Sequence, residues 1–225
     1  MTSSKHFDRL APTDARHPLK RPFDLLVVSV SLIVGLPFWL VLLPTLALLV
    51  YADSGRPILF RSRRLGLGGR PFDMYKFRTM RLGAEHTGPP MTRPNDPRVT
   101  RVGRFLRKTG LDELPQLWSV CKGDMSLVGP RPYNIRSHEH YVRWNRRFAQ
   151  RLRVRPGLAG PAALWGSTSD PANRLAWDLA YVRNQNMCWD TILLVRCALI
   201  VLVAGWERKQ TQPPTTAPQQ SPAWD

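Results

Sequence analysis

From Leu25 to Val50 the chain carries no charged side chain. At ~1.5 Å per residue these about 26 residues would reach roughly 39 Å as a straight helix, beyond a hydrocarbon core of ~30 Å. The segment therefore enters a bilayer. It is too long for a signal peptide and ends at Tyr51-Ala52-Asp53, without a small-x-small cleavage pattern. Pro37 falls mid-segment, with Gly35 just before it and Pro44 two turns on, so the hydrogen-bond ladder breaks where a simple anchor would be continuous. Lys20 and Arg21 precede the run, and Arg56, Arg61, Arg63 and Arg64 follow it. Positive charge prefers the cytoplasmic side, so both flanks ask for the same side. A single span satisfies hydropathy alone. A re-entrant helix bent at Pro37 satisfies hydropathy and both flanks, provided the backbone groups freed at the bend find partners.

Past the membrane segment the pattern shortens. Pro57 to Phe60 reads as a strand, Gly66 to Gly69 as a turn, and Pro71 to Met80 as the returning strand. The glycines precede a strand instead of opening a helix, and no Gly-Lys-Ser/Thr follows, which favours a hairpin over a phosphate loop. A period of two sets Met74, Lys76, Arg78 and Met80 on one face and Tyr75, Phe77 and Thr79 on the other. Two adjacent cations on a face fit a phosphate or a solvated sheet edge. After a proline-broken loop, Val99 to Lys108 places Arg101, Arg104 and Lys108 on one side and Val102, Phe105 and Leu106 on another. That is a basic amphipathic helix, for a membrane surface or as a charged face on a packed helix. Leu114, Leu117, Trp118 and Cys121 recur at helical spacing, which predicts core, and Gly123 ends the helix.

Ile135 to Arg155 is a second basic helical stretch, with Tyr141, Trp144 and Phe148 near helical spacing. Such residues stack on nucleobases or sit at a membrane interface. Trp177 to Asn184 predicts a helix; Asp190 to Val203, interrupted by Arg196, is too short and charged for a comfortable span and predicts an interfacial or core helix. The expected organisation is α+β and mostly helical: a flexible N-terminus (1–18), a re-entrant membrane helix (19–52), a cytoplasmic catalytic domain with a short β-hairpin and interfacial amphipathic helices (53–206), and a disordered tail (207–225).

Charge sharpens this picture. Of 225 residues, 33 are Lys or Arg against 16 Asp or Glu, a net charge of +17. The partner is anionic: nucleic acid, an acidic membrane surface or phosphorylated substrates. Most of the excess is arginine, which suits bidentate phosphate contacts. Cys121, Cys188 and Cys197 form no paired or metal-type spacing and are expected as reduced thiols. Against this background the adjacent acids Asp112 and Glu113 stand out. A helix starting near Asp112 would hold both in its first turn, where unpaired N–H groups and the dipole favour anions, and Pro115 supports that start. An N-cap is the plain alternative. Gly129-Pro130-Arg131-Pro132 predicts a rigid turn bearing one guanidinium.

Read in order, Lys20-Arg21-Pro22-Phe23-Asp24, Pro37, Tyr75 to Met80, Asn95 to Gly103, Leu111 to Leu117, Gly123 to Pro132 and Val154-Arg155-Pro156-Gly157 resemble the bacterial sugar transferase family, the small monotopic polyprenol-phosphate phosphoglycosyltransferases. The resemblance runs from about Lys20 to Trp206. It implies an enzyme at the cytoplasmic face of the bacterial inner membrane. Such an enzyme moves a sugar 1-phosphate from a nucleotide sugar, usually a UDP-sugar, to undecaprenyl phosphate, opening exopolysaccharide, O-antigen or capsule assembly. By that resemblance Mg²⁺ is the cofactor, Asp112 carries the phosphosugar covalently, and Asp112 and Glu113 are catalytic and face the metal. A carboxylate in line with a metal-polarised diphosphate suits phosphoryl transfer. Glu113, about 100° away from Asp112 on a helix, suits the metal or its waters.

Arg131, Lys76, Arg78 and Arg107 are the candidates for phosphate oxygens, and Pro37, Lys20, Arg21 and Asp24 mark the membrane element and its break. The implied partners are the nucleotide sugar, polyprenol phosphate and anionic lipid, with no nucleic acid; a homodimer stays open. Leu36 stands where many relatives have a small polar residue, Gly110 where they have Ser, and Gly160-Pro161-Ala162-Ala163-Leu164 replaces a common stretch, so no donor sugar is named. The competing readings are a membrane-anchored basic module that binds nucleic acid or acidic lipid without chemistry, and a diphosphate hydrolase in which water resolves the aspartyl intermediate.

Overall fold

In the computed structural model, which describes residues 17–84, 87, 96–166 and 170–203, the apolar run forms two helices, α1 (Lys20–Val34) and α2 (Leu36–Ser54). They part at Gly35. Pro37 falls in the first turn of α2, where its missing N–H is no loss, and Pro44 sits inside that helix. The Ser31 carbonyl accepts both the Gly35 N–H (3.0 Å) and the Trp39 indole N–H (2.9 Å). A Cβ on Gly35 would stand 2.6 Å from that oxygen and 2.8 Å from the indole nitrogen, so the absence of a side chain is what admits the ring. Thus an indole, and no polar residue at position 36, bridges the bend. Among the described residues α2 is the one helix long and apolar enough to cross a membrane. Phe38, Leu40, Val41 and Leu48 are all more than half exposed, an outward apolar surface of the kind lipid covers.

The foot of α1 is polar and buried. Lys20 Nζ lies 2.8 Å from Asp24 and 2.9 Å from Asp190, all three under 5% exposed. Asp190 belongs to α8 (Met187–Val203) and also meets the hydroxyl of Tyr181, in α7 (Pro171–Asn184), at 2.8 Å. Arg21 donates to the carbonyls of Val120 and Cys121 at the end of α4 (Leu117–Lys122), a cation at a helix C-terminus. Lys20, Arg21 and Asp24 therefore tie the apolar element to the rest of the protein instead of marking its break.

The hairpin forms between β1 (Leu59–Leu65) and β2 (Pro71–Phe77), with Leu59 opposite Phe77 and Leu65 opposite Pro71, so its first strand lies further along the chain than the expected 57–60 and runs up to the glycine turn. Gly66 N–H closes the turn on the Arg70 carbonyl at 2.8 Å. β2 ends three residues earlier than its alternation suggests, because Met80 pairs with Val99 across the next connection. A second pairing has no signature in the alternation: β3 (Ser126–Val128) lies parallel to β4 (Gly157–Ala159). A Cβ on Gly157 would fall 2.0 Å from the Gly129 nitrogen, so the two Gly-Pro loops touch backbone to backbone.

The stretch from Ile135 onwards is broken. α5 (Ile135–Trp144) stops at Asn145, whose side chain accepts the Arg147 N–H (3.0 Å) and starts a 3₁₀ helix, Arg146–Arg153. Tyr141 and Phe148 stack at 4.8 Å and are buried with Leu175 and Leu179, so this pair is core and offers no platform for bases. Trp118 reverses its expected place: it is 63% exposed. Helix α8 is half core, with Leu193 and Cys197 buried and Val195 and Leu199 outward. All three cysteines are free thiols. The architecture is α+β and mostly helical; 1–16 and the 207–225 tail lie outside the described residues.

Replacing Lys20 with Met should remove about 3–5 kcal/mol of stability, because it strands two buried carboxylates without their counter-charge. Denaturant unfolding in detergent checks this, and adding Asp190→Asn should restore part of the loss.

Candidate active site

Helix α3 (Arg101–Thr109) is held at its start from two directions. Thr100 Oγ1 accepts the Gly103 N–H (2.9 Å), and Asp53, at the end of α2, accepts the Val102 N–H (3.1 Å). Phe77, Leu106, Leu46 and Val50 bury together beneath it. Gly110, at φ 72°, stops α3 and turns the chain directly into a 3₁₀ helix, Leu111–Gln116, which leads into α4. Both acids occupy its first turn, as expected, but the turn is 3₁₀. Pro115 has no N–H for an α-type ladder, and the tighter winding separates successive side chains by ~120°. Asp112 and Glu113 accordingly enter different surroundings.

Glu113 is clamped. Its Oε1 accepts Lys76 Nζ (2.7 Å) from β2 and Nη2 of Arg131, while Oε2 accepts Arg131 Nη1 at 3.2 Å. Burial alone would push this carboxyl up, yet Arg131 and Lys76 overcome it and hold it well below the usual carboxylate range. Lys76 in turn is lowered by burial, with Glu113 opposing.

Asp112 is 7% exposed and accepts no hydrogen bond from a described side chain. Burial, then the charge of Glu113, drive its pKa up to about 6 against the pull of Lys76, Arg131 and Arg107. Two neighbouring acids are thus pushed in opposite directions, an arrangement that assigns them different work.

The phosphate candidates divide. Lys76 and Arg131 meet at Glu113, and Arg107, whose Nε donates to Thr79 Oγ1 (2.8 Å), acts on Asp112 from α3. Arg78 goes elsewhere. Because β2 ends at Phe77, the alternation does not carry Arg78 onto the face of Lys76; its guanidinium donates to the carbonyls of Ser54 and Gly55 (2.6 Å for the second), capping α2. Pro37 lies in the apolar element, and Lys20, Arg21 and Asp24 in its foot.

Two arginines reach the site without having been singled out. Arg151 donates to the Arg131 carbonyl (2.8 Å) and to Asp178 (2.7 Å), with its guanidinium 4.0 Å over the Tyr133 ring, fixing the loop that carries Arg131. Arg64, from β1, reaches the Pro132 carbonyl of the same loop. No group of three or more His, Cys, Asp or Glu is gathered for a metal among the described residues.

The family described as Bacterial sugar transferase matches residues 15–204. A UDP-glucose:undecaprenyl-phosphate glucose-1-phosphate transferase of Xanthomonas campestris pv. campestris is 39% identical over 183 residues, covering 78% of this chain and 37% of that protein. Its namesake in Escherichia coli (strain K12) is 36% identical over 197 residues, covering 85% and 41%. A UDP-N-acetylgalactosamine-undecaprenyl-phosphate N-acetylgalactosaminephosphotransferase of Aeromonas hydrophila is 33% identical over 201 residues, covering 88% and 46%. The chain spans about two fifths of the length of these relatives.

An acid raised in the fold from 3.8 to about 6 favours the folded state most when protonated, and that stability is lost as pH rises through the folded value. Asp112→Asn should therefore unfold like the wild type near pH 3.5, gain on it between about pH 4 and 6, and stay more stable by a constant margin above pH 7. Thermal unfolding across that range reads the gap.

Proposed function

This chain belongs to the bacterial sugar transferase family, and from that premise we propose that it moves a sugar 1-phosphate from a UDP-sugar to undecaprenyl phosphate through a covalent Asp112 intermediate. The observation that carries the reading is the buried carboxylate of Asp112, with no hydrogen bond from a described side chain, beside a Glu113 held by Lys76 and Arg131. An oxygen of Asp112 attacks the β-phosphorus of the donor, the bond to the bridging oxygen breaks, and UMP leaves with that oxygen. The acceptor phosphate then attacks the same phosphorus, displaces the Asp112 carboxylate and carries the phosphosugar away as a polyprenol diphosphate sugar. Burial that disfavours the charge on Asp112 also makes its oxygen a stronger nucleophile, since a raised pKa leaves the electron pair less stabilised. Arg107 and Arg131 face the charge that develops as UMP departs.

The residues present fit Mg²⁺. This ion takes one or two carboxylates together with substrate phosphates. Asp112 has unoccupied lone pairs, and Glu113 Oε2 receives one bond, at 3.2 Å, which leaves it room for a metal-bound water. When bound, the ion neutralises diphosphate charge. Lys76 and Arg131 keep Glu113 ionised and in place for that contact. Arg78, committed to the end of α2, is left out of phosphate binding in this reading. The binding-module alternative gains nothing, because Tyr141 and Phe148 are core.

For topology we infer the re-entrant form, with α1 and α2 entering and leaving one leaflet and the body at the cytoplasmic face. The Trp39–Ser31 bridge at Gly35 and the basic residues at both ends support it.

With a donor labelled at the β-phosphorus, the wild type should retain label and Asp112→Asn none; label on the variant would refute the intermediate. Wild-type labelling should rise with pH as Asp112 loses its proton and then level off, since the carboxylate form attacks. In intact cells, single cysteines at positions 4 and 210, in a chain freed of its own thiols, should both be shielded from an impermeant external reagent. Labelling at one end alone would restore a single span.

A further inference from the structure

The arginines of β1 do unlike jobs. Arg61 is exposed and pairs with Asp73 at 2.6 Å; Arg63 is exposed. Arg64, on the opposite face, turns inward, where β1 meets the loop around Arg131: Leu65 N–H bonds the Tyr133 carbonyl (3.1 Å), and Arg64 bridges Asn134. Its guanidinium has five N–H donors. A single long bond engages it, from Nη1 to the Pro132 carbonyl at 3.4 Å, while Nε is buried without an acceptor. Among the described residues no carboxylate pairs with it. Burial, then the charge of Arg131, lower its pKa to about 10, with Glu113 opposing, so the charges of Arg131 and Glu113 both act on it.

A brace for the loop would not need a desolvated charge. Leaving a half-buried cation without an anion is costly, and a neutral side chain of similar shape would fill the same space at less cost. The local balance shows what the charge is for. Lys76, Arg107 and Arg131 act on Asp112 and Glu113, and Arg64 reaches the loop that carries Arg131 and interacts with the charge of Glu113, four cations against two carboxylates. Glu113 takes up Lys76 and Arg131, and Arg107 acts on Asp112, so Arg64 is the member of this group without a carboxylate partner among the described residues. Guanidinium forks match phosphoryl oxygens.

We propose that Arg64 is a substrate-binding residue of this site, its guanidinium held at the Pro132 carbonyl so that its free N–H groups take phosphoryl oxygens of a bound substrate. The inference deepens the reading of Asp112 as the acceptor of a phosphosugar and rests on it. Phosphoryl oxygens arrive from two sources, the donor diphosphate and the acceptor monophosphate.

Calorimetric titration of the detergent-purified full chain with UDP, and separately with farnesyl monophosphate, tests the proposal. Arg64→Met should weaken one of the two probes about tenfold or more, whereas Arg63→Met, which removes the same charge from the exposed face, should change neither by more than about twofold. A loss confined to UDP assigns Arg64 to the donor, and one confined to farnesyl phosphate assigns it to the acceptor. Removing an unpaired charge should leave the unfolding midpoint unchanged or raise it, while a brace would lower it. Should Arg64→Met fail to fold, Arg64→Lys, which keeps charge and loses the fork, should still weaken binding several-fold. Wild-type affinity for both probes in the folded variant overturns the proposal, as does a lowered midpoint with unchanged affinity. Because these are equilibrium measurements, they separate from the labelling experiment: an unlabelled Asp112 with Arg64-dependent binding defeats the covalent intermediate alone, and a labelled Asp112 with Arg64-independent binding defeats this proposal alone.

Discussion

Glu113 is the counter-charge on which the site is assembled. It receives Lys76 from the hairpin and Arg131 from the Gly-Pro loop, while its own position is set by the 3₁₀ turn that follows α3. Three segments remote in sequence thus meet at one carboxylate. A buried ion pair adds little net stability, but breaking one strands a charge, so the arrangement is specific even where it is not strongly stabilising. Its effect on the neighbouring residue matters more for chemistry. With Glu113 permanently ionised, Asp112 sits beside a fixed negative charge in a desolvated place, and the two acids respond differently to the same surroundings.

The clamp needs rigid supports, and they are backbone-deep. Arg131 leaves a loop whose preceding glycine lies against β4 so closely that a Cβ on Gly157 has no room. The same loop is held from behind by Arg151, itself fixed by Asp178 of α7. Lys76 is fixed by the register of the hairpin, Phe60 opposite it. Short strands of three and seven residues do this because each is pinned by sterics or charge at both ends, not because the sheets are large.

Much of this was legible in the sequence. The apolar run, the glycine turn between two strands, the stop at Gly123 and the acid pair in a first turn all have local signatures, in period or in residue chemistry. What escaped is what is non-local. Three-residue strands have no period to detect, and the parallel β3–β4 contact joins residues about thirty positions apart. Alternation continued past the end of β2 puts Arg78 beside Lys76, but there the chain has already turned to cap α2. Tyr141 and Phe148 looked like an aromatic-basic face because a break at Asn145 was not foreseen; the break folds the second ring back onto the first. Arg64 and Arg151 are two among many arginines, and only packing shows which of them are inward.

The connection from α2 to Asp112 has a mechanical meaning. Asp53, in the last turn of the apolar helix, grips the N-terminus of α3; α3 is nine residues, ~14 Å of stiff rod, and a single left-handed glycine joins it to the turn that bears the acid. No slack segment intervenes. The offset of the Asp112 carboxylate from the apolar helix is therefore a built dimension, like the gap of a caliper, set by rigid pieces joined end to end.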